Sequence, residues 1–380
     1  MSVNTKLEVK NGASFSKDEE QAVQELYDQI YQPDAEVVIF FCSSKYDLDK
    51  LGNALKTRFS CSLIGCTTAG EITSAGYHEG SLVGTSLATN ALKVHPHYIF
   101  PLSQFSATGA EAMAGSIRKE LRFSSTFDKD MMFGFLLIDG LSMLEEQATS
   151  FIHSQFENVS IIGGSAGDDT KFESTKVYWD GRFVSNAAVF TLFETTLPFY
   201  IFRTQHFQPT EKKLVITESD QTNRRVIEID GEPAAREYAE ILGLKIDELT
   251  STVFSNHPVM LKIGGEYYVR SIQKVNDDES LAFFCAIDNG LVLSVAEGIG
   301  LVKNLENQLL EVKKRIPNLK LILGCDCILR RLELQEKKLM DDVCRLIKDY
   351  PFIGFSTYGE QYNAIHVNQT LTGVAIGEPS

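Results

Sequence analysis

Short apolar runs without helical period occur three times along the chain, as VVIFFC at 37 to 42, MMFGFLLI at 131 to 138 and LKLILGC at 319 to 325. Runs of this kind read as strands buried on both faces. Each is followed by an amphipathic stretch: Leu48, Leu51 and Leu55; Leu144, Ala148, Phe151 and Ile152; Leu339, Val343, Leu346 and Ile347. That spacing predicts a helix. A second apolar strand then ends in a small-residue turn closed by an acid, IGCTTAGE at 64 to 71, IGGSAGD at 162 to 168 and IGFSTYGE at 353 to 360. A further strand-like segment completes each copy, at 81 to 89, 185 to 194 and 368 to 377. The repeating unit is strand, helix, strand, turn, strand. A strand joined through one helix to its neighbour is most simply a right-handed parallel crossover, so the loops leaving both strands open on one edge. The three turns are therefore expected side by side, around a shared cleft.

Capping-box pairs, Ser16 with Glu19 and Ser142 with Glu145, mark the starts of an early helix over 16–31 and of the second repeat helix. Between the second and third copies the pattern changes. EIDGEPAAREYAEILG at 228 to 243 places Pro233 near a helix start and Gly243 at its end. GGEYYVRSIQKV and SLAFFCAI alternate like antiparallel strands, and Val302, Leu305, Leu309 and Val312 predict another helix. The fold class expected is α/β, with repeated strand-helix-strand units forming mixed sheets in two domains, 1–225 and 226–380.

Composition adds exclusions. The 380 residues are 43% hydrophobic and 23% charged, which suits a globular chain and not a disordered or disulfide-scaffold one. A formal charge of −15 with only short basic runs, such as Lys313–Lys314–Arg315 and the pair Arg330–Arg331, predicts no nucleic-acid and no membrane partner. Seven scattered cysteines and the absence of an apolar leader point to a reducing cytoplasm.

Glycine-bearing turns let a ligand approach backbone amides closely. These turns lack both the lysine of a phosphate loop and GxGxxG spacing, so nucleotide binding is not expected. Hydroxyls and acids flank them: Thr67, Thr68 and Glu71; Ser165, Asp168 and Asp169; Ser356, Thr357, Tyr358 and Glu360. They suit the amino and hydroxyl groups of a small molecule. The more common use of such acids is to bond local amides. Cys325 and Cys327 sit between a strand and a helix start, where a thiol pKa can fall, but CxC alone is a weak metal signal. No histidine adjoins Cys66 or Cys327 in sequence, and no catalytic residue is assigned.

The motifs GCTTAGEI, GGSAGDD, EIDGEPAAREYAEILG, GEYYVRSI, GCDCILRR, GFSTYGE and HVNQTLTG, in this order, resemble the FIST family, with N-terminal and C-terminal FIST domains in tandem. The resemblance implies an intracellular sensory module for a small-molecule ligand, with amino-acid-like ligands one class. EYYVRSI and GCDCILRR are also similar to the haem-binding, nitric-oxide-sensing FIST proteins. That closer resemblance implies exchangeable haem b, a two-component system with a histidine kinase or other signalling protein as partner, and room for a homo-oligomer. It makes His257 the first choice of iron ligand and His366 the second, with Arg270, Arg330 and Cys327 beside the cofactor. The alternative, a FIST module for an amino-acid-like ligand, rests on the three turns, whose candidate pocket is Thr67, Glu71, Ser165, Asp168, Asp169, Tyr358 and Glu360.

Overall fold

The computed structural model describes residues 6–156 and 158–379. It is a mixed α/β chain in two compact units, one formed by the described residues of 1–203, 306–366 and 371–380, the other by 204–305 and 367–370.

In the larger unit the three copies are explicit. Copy one has β1 (Ala35–Ser43), α1 (Leu48–Arg58), β2 (Ser62–Thr68), a hairpin of β3 (Glu71–Thr73) and β4 (Gly76–His78), and β5 (Leu82–Ala88). Copy two has β6 (Met132–Ile138), α2 (Glu145–Gln155), β7 (Ser160–Ser165), the hairpin β8 (Val177–Trp179) and β9 (Arg182–Val184), and β10 (Ala188–Thr195). Copy three has β11 (Leu319–Cys327), α3 (Ile328–Glu336) and α4 (Met340–Ile347), β12 (Phe352–Thr357), the hairpin β13 (Glu360–Tyr362) and β14 (Ile365–Val367), and β15 (Thr370–Gly377). The first two strands of each copy pair in parallel with matching register, Phe41 opposite Cys66, Leu137 opposite Gly164 and Cys325 opposite Phe355. The last strand of each copy pairs antiparallel with the first.

The hairpins are exchanged. Copy one's hairpin extends the sheet of copy three, copy three's that of copy two, and copy two's that of copy one. This cyclic pattern gives the three sheets a threefold pseudosymmetric connectivity.

Each copy also begins earlier than its apolar run suggests. An edge strand and a helix precede it: Glu8–Ser14 and Glu19–Ile30; Leu92–Ile99 and Ala107–Glu120; Phe199–Gln205 and Leu301–Arg315. In the third copy the second compact unit lies in sequence between those two elements. The third copy thus starts before the inserted unit and resumes after it. The inserted unit is an antiparallel sheet with helices Ala234–Leu242 and Ser251–Asn256 packed on it, around Tyr238, Phe254, Val259, Phe283 and Leu293. The Pro233 start and the left-handed Gly243 end of its first helix match the sequence expectation.

Alternation explains the apolar runs. Val37, Ile39 and Phe41 enter a central core with Phe133, Phe135, Leu137, Leu321, Leu323 and Cys325, while Val38, Phe40 and Cys42 pack beneath the helices of copy one. Both faces are covered, so no polar alternation survives. Phe41 stacks on Phe355 at 4.4 Å between centroids. The two capping boxes are not formed. Asp18 caps the first helix by accepting from Gln21 N at 2.8 Å, because the Ser16 hydroxyl is turned to the Asp18 amide. Helix α2 has no side-chain cap, since Met143 adopts a left-handed conformation before Leu144.

Candidate functional site

The three acid-closed turns hydrogen-bond directly to one another. Ala69 N donates to Ser356 O at 2.9 Å and Ser356 N to Gly70 O at 2.7 Å. Ser165 N donates to Gly359 O at 2.9 Å and Tyr358 N to Ser165 O at 3.3 Å. Gly167 N donates to Thr67 O at 3.0 Å and Asp169 N to Thr68 O at 3.1 Å. Turn one meets three, three meets two, and two meets one, so the exits form a closed backbone ring.

The acids brace this ring. Glu71 is fully buried and accepts from Thr68 Oγ1 and Ser81 Oγ, each at 2.5 Å, and from Ser81 N at 3.2 Å. Burial outweighs those hydrogen bonds and pushes its carboxyl up to about 7. Glu360 repeats the arrangement, accepting from Thr357 Oγ1 at 2.6 Å. Copy two is one residue shorter and carries Ala166 where the others carry Thr68 and Thr357. Its Asp168 instead accepts from the amides of Phe172 (2.9 Å), Glu173 (2.9 Å) and Ser174 (2.8 Å), and from the Tyr358 hydroxyl. Tyr358 in turn stacks on Phe172 at 4.4 Å. Thr67 Oγ1 accepts from Lys176 N at 3.0 Å, and Ser165 Oγ from Gln361 Nε2 at 3.0 Å.

Beside the ring lies a cavity of about 320 Å³ to which all three copies contribute. Helix α3 presents Ile328, Arg331, Leu332 and Gln335, one face at i, i+3, i+4 and i+7. Copy one adds Lys45, Ala69 and Glu79, and copy two adds Asp169, Thr170 and Lys171. Of the predicted pocket residues, Asp169 lines this cavity, while Thr67, Glu71, Ser165, Asp168, Tyr358 and Glu360 are buried in the framework around it.

The Arg331 side chain is 7% exposed. Its Nη1 donates to Ala69 O at 2.5 Å, its Nη2 meets Glu79, and its Nε, also buried, has no hydrogen-bond partner among the described residues. Lys45 Nζ lies 3.2 Å from Asp169 Oδ2, an ion pair by distance that lacks hydrogen-bond geometry. The walls thus offer a guanidinium and a carboxylate, flanked by apolar Ile328, Leu332 and Ala69.

Arg330, one residue earlier, faces the other way. It is fully buried and its Nε donates to Asp326 Oδ1 at 2.6 Å, while Tyr77 OH from copy one's hairpin donates to Asp326 Oδ2 at 2.6 Å. This buried triad fixes the start of α3, and so the position of Arg331. The sequence resemblance singled out Arg330 beside a cofactor, and left Arg331, its partner in the basic pair, together with Lys45 and Glu79, without a role. The helical period running from Ile328 is the signal that separates the two arginines.

The residues chosen for haem are distributed over the two units. In the larger one, Cys327 is buried at the start of α3, Arg330 is held by Asp326, and His366 is buried with Nδ1 at 3.3 Å from Gln361 Nε2. In the inserted unit, His257 is exposed at the end of Ser251–Asn256 and Arg270 is buried in the strand Glu266–Arg270. Among the described residues no three His, Cys, Asp or Glu side chains are grouped to hold a metal ion. An arginine already committed to a buried carboxylate does not suit a propionate, and the cavity at Arg331 has no histidine in its walls.

The FIST N domain matches residues 36–232, more than half of the chain, and the FIST C domain matches 234–363. The chain therefore belongs to the FIST family, whose domains sense small ligands. It is also 24% identical over 263 residues to an uncharacterized protein of Methanocaldococcus jannaschii, an alignment covering 63% of this chain. The match spans about half, 50%, of that relative's length. Among the described residues no helix is long and apolar enough to cross a membrane.

Proposed function

We propose that this FIST protein senses an amino-acid-like small molecule bound in the cavity at Arg331, and passes the signal to a partner signalling protein. The buried Arg331 guanidinium, with one N–H unused, is the observation that carries this reading. A buried donor without an acceptor is costly, and a ligand carboxylate would satisfy it bidentately. Asp169 offers the matching anion for an ammonium, and Ile328 and Leu332 suit an apolar side chain. The role is binding and not catalysis. Of the two cysteines read as nucleophile candidates, Cys66 and Cys327, both are buried, and burial pushes the Cys66 thiol well above the ordinary range, which disfavours a nucleophilic thiolate there.

Haem-based nitric oxide sensing upstream of a histidine kinase is the weaker reading, because it rests on motif resemblance alone. A thermal-shift screen of the full chain separates the two. L-amino acids should raise the melting temperature where matched amines and carboxylic acids raise it less. Indifference to every amino acid, with a Soret band after haem reconstitution, would reverse the preference.

A further inference from the structure

The two ion pairs in the cavity wall share one design. In each, the inner member is fixed to the framework. The Arg331 side chain is 7% exposed and anchored on Ala69 O; Asp169 is 19% exposed, left-handed at φ 62, with its amide bound to Thr68 O. The outer members are exposed, Glu79 at 58% and Lys45 at 53%. Both sit on short connections, Glu79 between β4 and β5 beside left-handed Gly80, and Lys45 between β1 and α1.

We propose that Glu79 and Lys45 are built-in stand-ins for the ligand's carboxylate and ammonium, and that the ligand is signalled by their release. This rests on the reading of the cavity given above. An ion pair with one exposed partner contributes little net free energy, so a ligand group that also satisfies Arg331 Nε outcompetes the Glu79 carboxylate. The ligand therefore binds the released state better than the latched one, which is the differential affinity a switch requires.

The release has a path into the ring. Glu79 precedes Ser81 by two residues, and Ser81 holds Glu71 through both its hydroxyl (2.5 Å) and its amide (3.2 Å). Glu71 begins the hairpin that copy one lends to copy three. Freed Glu79 thus loosens the segment that ties the exchanged hairpin to its own turn.

The test is calorimetric titration of the full chain with L-leucine, 4-methylpentanoate, which lacks the ammonium, and 3-methylbutylamine, which lacks the carboxylate. Glu79→Gln should tighten 4-methylpentanoate about three- to fivefold by removing its internal competitor, leaving 3-methylbutylamine unchanged. Lys45→Met should do the reverse. Binding that Arg331→Gln abolishes, but that Glu79→Gln and Lys45→Met leave unchanged or weaken, overturns the stand-in role and leaves the cavity reading intact. No binding of any probe to the wild-type chain removes the cavity reading, and the stand-in role with it.

Discussion

Replacing Glu71 by Gln gives the sharpest physical test of the ring. The carboxyl is buried in the turn, and its pKa rises from 4.5 to about 7 because burial disfavours the charged form more than Thr68 and Ser81 favour it. The folded state therefore holds this proton more tightly than the unfolded chain. Between about pH 4.5 and 7 the native protein binds more protons, so the Glu71 contribution to stability falls as pH rises and levels off above 7. A displacement of this size corresponds to about 3 kcal/mol. Glutamine keeps the shape. Its carbonyl can accept from Ser81, and its amide can donate to Thr68 Oγ1, whose own hydroxyl then donates to Cys42 O at 3.3 Å. Urea unfolding of wild type and Glu71→Gln at pH 4.5 and pH 8 isolates the term. The stability of the variant relative to wild type should increase by about 3 kcal/mol from the lower to the higher pH. A change below about 1 kcal/mol, or of opposite sign, would refute the argument that burial dominates at this site.

Three further substitutions test the framework by denaturant unfolding. Arg330→Met leaves Asp326 buried without its cation and should cost about 3–5 kcal/mol, most of it recovered in the double variant Arg330→Met/Asp326→Leu. Gly164→Ala would place a methyl 2.6 Å from the Phe355 ring and from Thr357 Cγ2, costing about 1–3 kcal/mol, and Phe355→Leu in the same chain should relieve part of it. Tyr358→Phe removes one of four donors to Asp168 and should cost about 1–2 kcal/mol, since the three amide bonds of Phe172, Glu173 and Ser174 remain.

The repeat was legible because each parallel strand is buried on both faces and leaves an unbroken apolar run, and because each turn ends on an acid. The edge strands that begin each copy were not, since Glu8–Ser14 and Leu92–Ile99 mix polar with apolar positions and no apolar run marks them; the helices Glu19–Ile30 and Leu301–Arg315 were legible as helices but not as parts of the repeat. The hairpins were equally hidden. Their strands are three residues long, and their partners belong to another copy, so no local pattern records the pairing. The candidate site was legible at the level of turns but not of side chains. Acids such as Glu71 and Glu360 read alike as ligand contacts or as braces, and only their burial against Thr68, Ser81 and Thr357 distinguishes these uses. Arg331 was obscured by Arg330, because the phase of α3 depends on where β11 ends. The strand runs on through Cys327, which turns Arg330 inward and Arg331 toward the cavity.

Amide-resolved hydrogen exchange on the whole chain, with and without L-leucine, addresses the convergence of three turns into one receptor. The amides of Ala69, Ser165, Gly167, Asp169, Ser356 and Tyr358 each donate across a junction between copies, so they should open together, slowly, and their rates should shift together when the ligand binds wild type but not Arg331→Gln. Three unrelated opening rates, or a ligand effect confined to amides remote from all three turns, would contradict the account.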